Sequence, residues 1–285
     1  MSRTGTMVFA LALAAGCRDP APPVRIGQLL IDGALGGDGV ELRRPLVREA
    51  LQRALEQSRR LKFDAQQGEA ILRARAVAGR APPDATGWPV VVLQLALEER
   101  PRIGKPSAIE TEAEVRGRSA IDRVDDLVVQ AAQAAVAKVE RLLVLGERPT
   151  GELLATLQGD DRELRLHALS LLAERRDPAA YQALVGALED DDAQIALRAV
   201  GGLVALGDPR AVGALTDLTH RKSPALVRQI VYAVGAIGGR EAEAYLFTVA
   251  SGHPDPEVQR AAREMLKERG GAGASSIAAP QEESP

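Results

Sequence analysis

Residues 153–176 have the sequence LLATLQGDDRELRLHALSLLAERR, and residues 184–207, which begin 31 positions later, have the sequence LVGALEDDDAQIALRAVGGLVALG. Residues of one type recur at this spacing in four consecutive copies, which is typical of a repeat protein. Two apolar columns run through the copies: Leu153, Leu184, Leu215 and Leu246 in the first, and Leu172, Leu203, Val234 and Met265 in the second. We expect both columns to form the core of a repeat domain.

Each copy combines a short apolar helix, a break and a longer helix. The break contains Asp or Pro, as in Asp190-Asp191-Asp192 and Ser223-Pro224, and we expect the Asp run to cap a helix. In the first copy Leu164, Ala168 and Leu172 are spaced four apart, so they lie on one face of the longer helix. The pattern predicts an α-solenoid of about four helical hairpins over residues 147–270.

These copies resemble HEAT repeats of the phycobilisome-lyase type. The resemblance rests on an apolar–Arg pair, Leu164-Arg165 and Val227-Arg228, and on the ending Leu206-Gly207-Asp208-Pro209. The fourth copy departs from this pattern at Gly239-Arg240, as expected for a terminal repeat with a solvated outer face. The resemblance implies a surface that binds other molecules, and it matches no catalytic residue in this chain.

The N-terminus has the order of a secretory signal over residues 1–16. Residues 4–16 carry no charge, follow Arg3 and end in small residues before Cys17. The run Leu13-Ala14-Ala15-Gly16-Cys17 resembles the lipobox of bacterial lipoproteins, although Ala14 replaces the usual large aliphatic residue. The resemblance implies that Cys17 is acylated, with residues 17–23 as a Pro-rich tether. The alternatives are an ordinary signal peptide with an incidental Cys, or a buried N-terminal helix.

Residues 24–146 predict a small α/β domain, which makes the whole chain α-rich with two domains. The segment 70–77 could instead be a short helix. The order of the predicted elements, a strand, a helix, three strands and a helix, resembles that of small envelope-lipoprotein domains such as the TolB N-terminal domain and LpoB-like activators. The resemblance includes no diagnostic motif. The predicted strands are 24–31, 70–77, 89–97 and 109–115, and the predicted helices are 46–61 and 122–145.

Candidate chemistry in the sequence is sparse. The glycine-rich loop predicted at 33–39 lacks the spacing of a phosphate-binding loop, which favours an ordinary flexible turn. His167, His220 and His253 stand apart, without metal-ligand spacing, and we expect them at the surface. The sequence contains no recognisable catalytic nucleophile with a general base and a third residue that orients the base. We therefore expect no enzymatic activity, no cofactor and no metal.

Composition narrows the function classes further. The formal charge of −3 argues against a nucleic-acid-binding protein. Aromatic residues make up 2% of the chain, so the core must consist of aliphatic residues and Ala, which suits packed helices. Residues 271–285 are rich in Gly, Ala, Ser and Glu and predict a disordered tail.

The repeat pattern also predicts a binding stripe. Outward positions of the longer helices flank the buried column, and HEAT-like proteins commonly bind through this surface. With Glu163 and Glu174 at one end and Lys267 at the other, the stripe is expected to change from acidic to basic. A solvated face without a partner is the alternative. The stripe consists of His167, Ser170, Arg198, Gln229, Tyr232, Arg260 and Arg263.

Together these patterns favour a lipid-anchored protein of the bacterial cell envelope, in the inner or outer membrane, that serves as a scaffold for a partner protein. The alternative is a small-ligand-binding or enzymatic domain at 24–146 with the repeats as an accessory. A pocket with converging polar groups in that domain would favour the alternative.

Overall fold

The computed structural model describes residues 21–37, 41–80, 87–98, 108–119, 121–219 and 223–275. The predicted signal segment, Cys17, His220 and residues 276–285 lie outside these ranges. The chain divides into two compact units, of which the first ends at Glu140 and the second begins at Arg141. The expected fold class, a strand-containing part followed by paired helices, is confirmed.

The first unit contains a five-stranded sheet with the order β2-β1-β3-β4-β5. β1 runs parallel to β2 and β3, whereas β3, β4 and β5 form antiparallel pairs. The strands are β1 (Val24–Gly36), β2 (Leu61–Phe63), β3 (Ala70–Arg80), β4 (Pro89–Glu98) and β5 (Ala108–Arg116), and the helices are α1 (Arg44–Gln57) and α2 (Val124–Gly146).

Only one face of this sheet is fully buried. Alternate residues of β3 and β4, such as Leu72 and Leu93, are buried together with Leu51 of α1 and Ala131 of α2. The residues between them on the same strands are partly or fully exposed. This alternation is expected for a sheet that packs helices against one side.

Two element boundaries differ from the prediction. β1 continues to Gly36 because it pairs with β3 along its length, so Gly33 and Gly36 lie in a strand and not in a loop. α1 ends at Gln57, and Leu61, predicted as helical, belongs to β2. The Ser58 hydroxyl oxygen accepts a hydrogen bond from the Leu61 amide at 3.0 Å, and this local bond competes with continuation of the helix.

The second unit consists of four helical hairpins, as predicted. We call the first helix of each hairpin a first helix and the second a second helix. Consecutive second helices pack side by side. The first helices are α3 (Thr150–Thr156), α5 (Tyr181–Ala187), α7 (Ala211–Asp217) and α9 (Arg240–Gly252), and the second helices are α4 (Arg162–Arg175), α6 (Ala193–Leu206), α8 (Pro224–Ile237) and α10 (Pro256–Ser275).

Polar caps separate the helices of the first two hairpins. The Asp161 side chain accepts hydrogen bonds from two amides in the first turn of α4, and the Asp192 side chain accepts one from Gln194 in α6. At the other end of these helices Arg176 and Gly207 adopt the left-handed conformation, with φ of 49° and 67°. These caps satisfy backbone groups that each helix end would otherwise leave unpaired.

The two predicted columns lie largely in the core of the second unit. Met265 is only partly buried and packs against the edge of that core. α10 continues to Ser275, so residues 271–275 are helical and not part of a disordered tail. The column residues at most 1% exposed are Leu153, Leu184, Leu215, Leu246, Leu172, Leu203 and Val234.

Candidate partner-binding face

The second helices present a continuous outer surface, which we call the second-helix face. The structure brings the predicted stripe residues onto this face, but their exposure differs along it. The residues of α4, His167 and Ser170, are partly buried. The exposed members are Arg198, Gln229, Tyr232, Arg260 and Arg263.

His167, predicted at the surface, is only partly exposed. Burial lowers the pKa of His167, and the positive charge of Arg198 lowers it further, against an opposing hydrogen bond to the backbone of Leu142. Leu142 lies near the end of α2, and the Arg175 guanidinium donates to the Gly146 carbonyl there at 2.9 Å. Residues 141–146 therefore cover the first repeat, and sequence periodicity does not reveal this cover because it comes from outside the repeats.

Ser170 has a structural partner on the next repeat. The Arg198 guanidinium of α6 donates to the Ser170 hydroxyl oxygen at 2.7 Å. This bond joins two neighbouring second helices and holds the Arg198 side chain in place across the face. The α4 end of the stripe is thus less available to a partner than the α6 and α8 positions.

The centre of the second-helix face exposes two large apolar side chains. Leu197 of α6 is 45% exposed and Tyr232 of α8 is 36% exposed. Gly201, Ala225 and Gln229 on the same helices are exposed and uncharged, whereas Arg198 adjoins Leu197 and Glu264 contacts Tyr232. Leu197 is not among the predicted stripe residues. Its outward position next to Arg198 in the sequence could have indicated an exposed apolar side chain on this face.

The Tyr232 hydroxyl group donates to a Glu264 carboxylate oxygen at 3.2 Å. Desolvation raises the pKa of Tyr232, and the negative charge of Glu264 raises it further. The ring therefore stays neutral at physiological pH, and it presents an apolar surface with a polar tip, a combination that suits an interface.

The α10 end of the face is not simply basic. Arg260 forms an ion pair with Glu257. Arg263 donates to the Gln259 side-chain oxygen at 2.8 Å and to the Ala250 carbonyl at 3.1 Å. The Glu257 carboxylate offsets the charge of Arg260, whereas both partners of Arg263 are neutral and leave its positive charge in place.

Ion pairs between adjacent repeats fix the spacing of the first two hairpins. Arg162 pairs with Asp192, and Arg165 pairs with Asp190 while donating to the Leu157 carbonyl at 3.1 Å. The Asp run therefore caps a helix and also joins two repeats. Arg228 lies one residue beyond the position equivalent to Arg165, so the two apolar–Arg pairs are not equivalent in the structure.

The first unit contains a cavity of about 360 Å³ between β5 and the start of α2. Its lining includes Arg116, Arg118 and Arg123 together with Asp122. The Asp122 carboxylate accepts from the Ser119 hydroxyl group at 2.7 Å, and this bond lowers the pKa of Asp122. The cavity lining contains three guanidinium groups and the two carboxylates Asp122 and Asp126, and no Ser, Cys or His.

Metal-ligating side chains are scattered in the part of the chain that the structure describes, where no group of three or more His, Cys, Asp or Glu is placed to hold an ion. The Nδ1 atom of His253 accepts a hydrogen bond from the Asp255 amide at 3.0 Å, so this residue supports the turn before α10. Among the same described residues, no helix has both the length and the apolarity needed to cross a bilayer.

Solved structures resemble parts of the chain. Human deoxyhypusine hydroxylase in complex with glycerol has 22% identity and a TM-score of 0.39, over 50% of this chain and 58% of its own length. A PelC dodecamer from Paraburkholderia phytofirmans has 10% identity and a TM-score of 0.32, over 42% and 92%. The rare lipoprotein B from Shewanella oneidensis has 18% identity and a TM-score of 0.22, over 42% and 99%. These likenesses bear on neither activity nor partners.

Part of the second unit matches a known family in sequence. No curated protein matches the chain. The family model of HEAT repeats matches residues 150–235, which run from the start of α3 almost to the end of α8. This match supports HEAT repeats over residues 150–235.

Proposed function

We propose that this chain is a lipid-anchored protein of the bacterial cell envelope that binds a partner protein through its second-helix face. The observation that carries the proposal is the pair of large apolar side chains, Leu197 and Tyr232, that the second helices α6 and α8 leave exposed. HEAT repeats bury their cores against each other and leave an extended surface for interaction.

The composition of the second-helix face suits the centre of a protein interface. Interface centres are depleted in charge and enriched in aromatic residues, and they are surrounded by a polar rim. Here Tyr232 and Leu197 occupy the centre, and Arg198 and Arg260 lie towards its rim. A partner segment could insert an apolar side chain between α6 and α8, and its polar groups could bind the rim residues Arg198 and Arg260.

Replacing Tyr232 by Ala should weaken partner binding by about thirtyfold, since truncating an aromatic side chain at an interface centre costs about 2 kcal/mol. The partner would be captured by crosslinking in cells and identified by mass spectrometry, and its affinity would then be measured by biolayer interferometry.

Phe247→Ala is the matched control, because Phe247 is 70% exposed on α9, a first helix. Thermal melts should be nearly equal for both variants. If the wild type, Tyr232→Ala and Leu197→Ala bind the partner with equal affinity, the partner does not bind through the centre of the second-helix face.

For the anchor, we expect Cys17 to be acylated and to begin the mature chain. Cells labelled with a clickable palmitate analogue should incorporate it into the wild-type chain, and Cys17→Ser should lose the label and leave the membrane fraction. Multiple acyl chains anchor a protein stably, whereas an incidental Cys would not. Label that persists in Cys17→Ser, or is absent from the wild type, contradicts this part of the proposal.

A ligand-binding role for residues 24–146 is the second candidate, and the arginine-lined cavity favours it. Guanidinium groups recognise carboxylate and phosphate groups in preference to other ligands. Calorimetric titration of the full chain and of Arg118→Ala with inorganic phosphate and with citrate would test it. Binding lost in the variant would support a role in this unit, whereas no heat with either anion would leave the repeats as the binding module.

A further inference from the structure

The sheet of the first unit leaves one face open. On this face, which lies opposite the buried residues of α1 and α2, Leu35 is 53% exposed and Val77 is 41% exposed. The pairing register aligns its residues in rows across the strands. From β3 through β4 to β5 these rows are Val77, Val92 and Glu114; Arg75, Gln94 and Glu112; and Arg73, Ala96 and Glu110.

β4 does not have the sequence of a strand that faces water. Its residues Pro89–Glu98 form an almost continuous apolar run, PVVVLQLALE, which is typical of a strand covered on both faces. In the structure one side of β4 is buried, while Val90, Val92 and Ala96 on the open side are only partly covered. The open side of this strand therefore has the composition of an interface.

Charge on the open face differs between the strands. The β3 side chains on this face include Arg73 and Arg75, and β5 contributes Glu110, Glu112 and Glu114. Ion pairs already occupy both ends: Arg73 pairs with Glu98 at 2.7 Å and with Asp32 at 3.5 Å, and Arg116 of β5 pairs with Glu114. In the middle row Arg75 has no ion-pair partner among the residues that the structure describes, and Glu112 accepts a hydrogen bond from the neutral Gln94 at 2.8 Å. The opposite charges of this middle row therefore remain available.

We propose that this open face packs against the same face of a second copy of the chain, about a two-fold axis that runs along β4. Rotation about this axis places β3 of one protomer opposite β5 of the other while keeping each row in register. Arg75 then faces the partner's Glu112, and Arg73 faces the partner's Glu110. Val92 and Ala96 meet their own counterparts at the axis, as a self-complementary interface requires.

The charge pattern selects this axis over the other two-fold arrangement. An axis across the strands would place β3 on β3 and bring Arg75 close to the partner's Arg75, which is unfavourable. Pairing through the β5 edge is hindered as well, because Lys138 of α2 donates to the Glu112 carbonyl at 2.6 Å.

The size of the overlap suits only a weak dimer. About an axis along β4, three strands of each protomer overlap, and at a spacing of about 4.8 Å and a length of about 25 Å they give about 360 Å² per protomer. The total of about 700 Å² is below the lower limit for a stable interface, so the charged rows must contribute much of the specificity.

Charge reversal tests the pairing directly. The full chain, purified in nonionic detergent, would be examined by sedimentation velocity as wild type, Arg75→Glu, Glu112→Arg and an equimolar mixture of the two variants. We expect dimers for the wild type, dissociation constants raised more than about tenfold for each variant alone, and recovery of dimers in the mixture. Recovery occurs because both cross-subunit pairs again have opposite charges. A monomeric wild type, or a mixture no more associated than its components, would overturn the proposal.

A crosslinking experiment tests the axis without altering charge. In a Cys17→Ser background, Ala96→Cys lies on the axis, and Gln28→Cys lies on β1, two strands away. The two copies of residue 96 should be joined by a short bismaleimide, whereas the two copies of residue 28 would be about 19 Å further apart and should remain unlinked. Equal crosslinking at the two positions, or none at residue 96, contradicts the proposed axis.

Discussion

Leu203→Asp is expected to unfold most of the repeat region. Leu203 is fully buried in the last turn of α6, and the second helices of the first and third hairpins pack against this helix. Loss of the apolar side chain costs about 1.5–3 kcal/mol, and an unpaired carboxylate in the same place costs several kcal/mol more. The sum approaches the total stability of an ordinary domain, which is about 5–15 kcal/mol.

Leu197→Asp is the control, because it makes the same chemical change on the same helix at a side chain that is 45% exposed. Hydrogen exchange measured by mass spectrometry should show protection lost across 141–275 in Leu203→Asp and nearly retained in Leu197→Asp. The peptides of residues 24–140 report on the first unit as an internal reference. Equal protection in the two variants would show that the repeat register is wrong.

A second large effect is expected in the first unit from Gly27→Ala. A Cβ atom at Gly27 would overlap the carbonyl oxygen of Gly68, and a Cβ atom at Gly68 would likewise overlap the backbone around Gly27. Since backbone and not a flexible side chain occupies the space, β1 or the turn before β3 must move. We expect a loss of about 3 kcal/mol or more, because overpacking of this kind is not relieved by a rotamer change.

Thermal unfolding would measure this loss as a decrease of about 10 °C in the Tm of the first unit. Gly33→Ala is the matched control on the same strand, where the added Cβ would lie 3.4 Å from the Arg75 Cγ atom, close to ordinary contact. A melt of Gly27→Ala that coincides with that of Gly33→Ala would mean that the two backbones are further apart than described.

The repeat region was predictable because its burial is periodic. Each hairpin buries the same positions against the next, so Leu153 and its equivalents repeat every 31 residues and the sequence displays the packing directly. The long strands β3, β4 and β5 were also predictable from apolar patterning. β2 was not, because its three residues are held by pairing with β1 and by the Ser58 turn, and no period is detectable in three residues.

The position of the second-helix face could be predicted from the sequence, but the exposure and charge pairing of its side chains could not. Outward positions follow from helical geometry, so Arg198 and Tyr232 are placed as the columns imply. The burial of His167 depends on α2, and the pairing of Arg260 depends on a neighbouring Glu257, so both reflect local contacts that a charge count along a stripe omits. The open sheet face required the strand order, since Arg75 and Glu112 are joined in one row only by the register of three strands.

The parallel pairing of β1 with β3 has a kinetic consequence. β1 lies at the start of the first unit, yet its main partner, β3, begins at Ala70. β1 therefore stays unpaired until α1 and β3 have been synthesised and β3 has folded back beside it. The helices of the second unit pack against the next helix or the next but one in sequence, which places their contacts within about one 31-residue repeat. Because contacts of low sequence separation form fastest, the C-terminal unit should complete folding ahead of the N-terminal one, in the reverse of the order of synthesis.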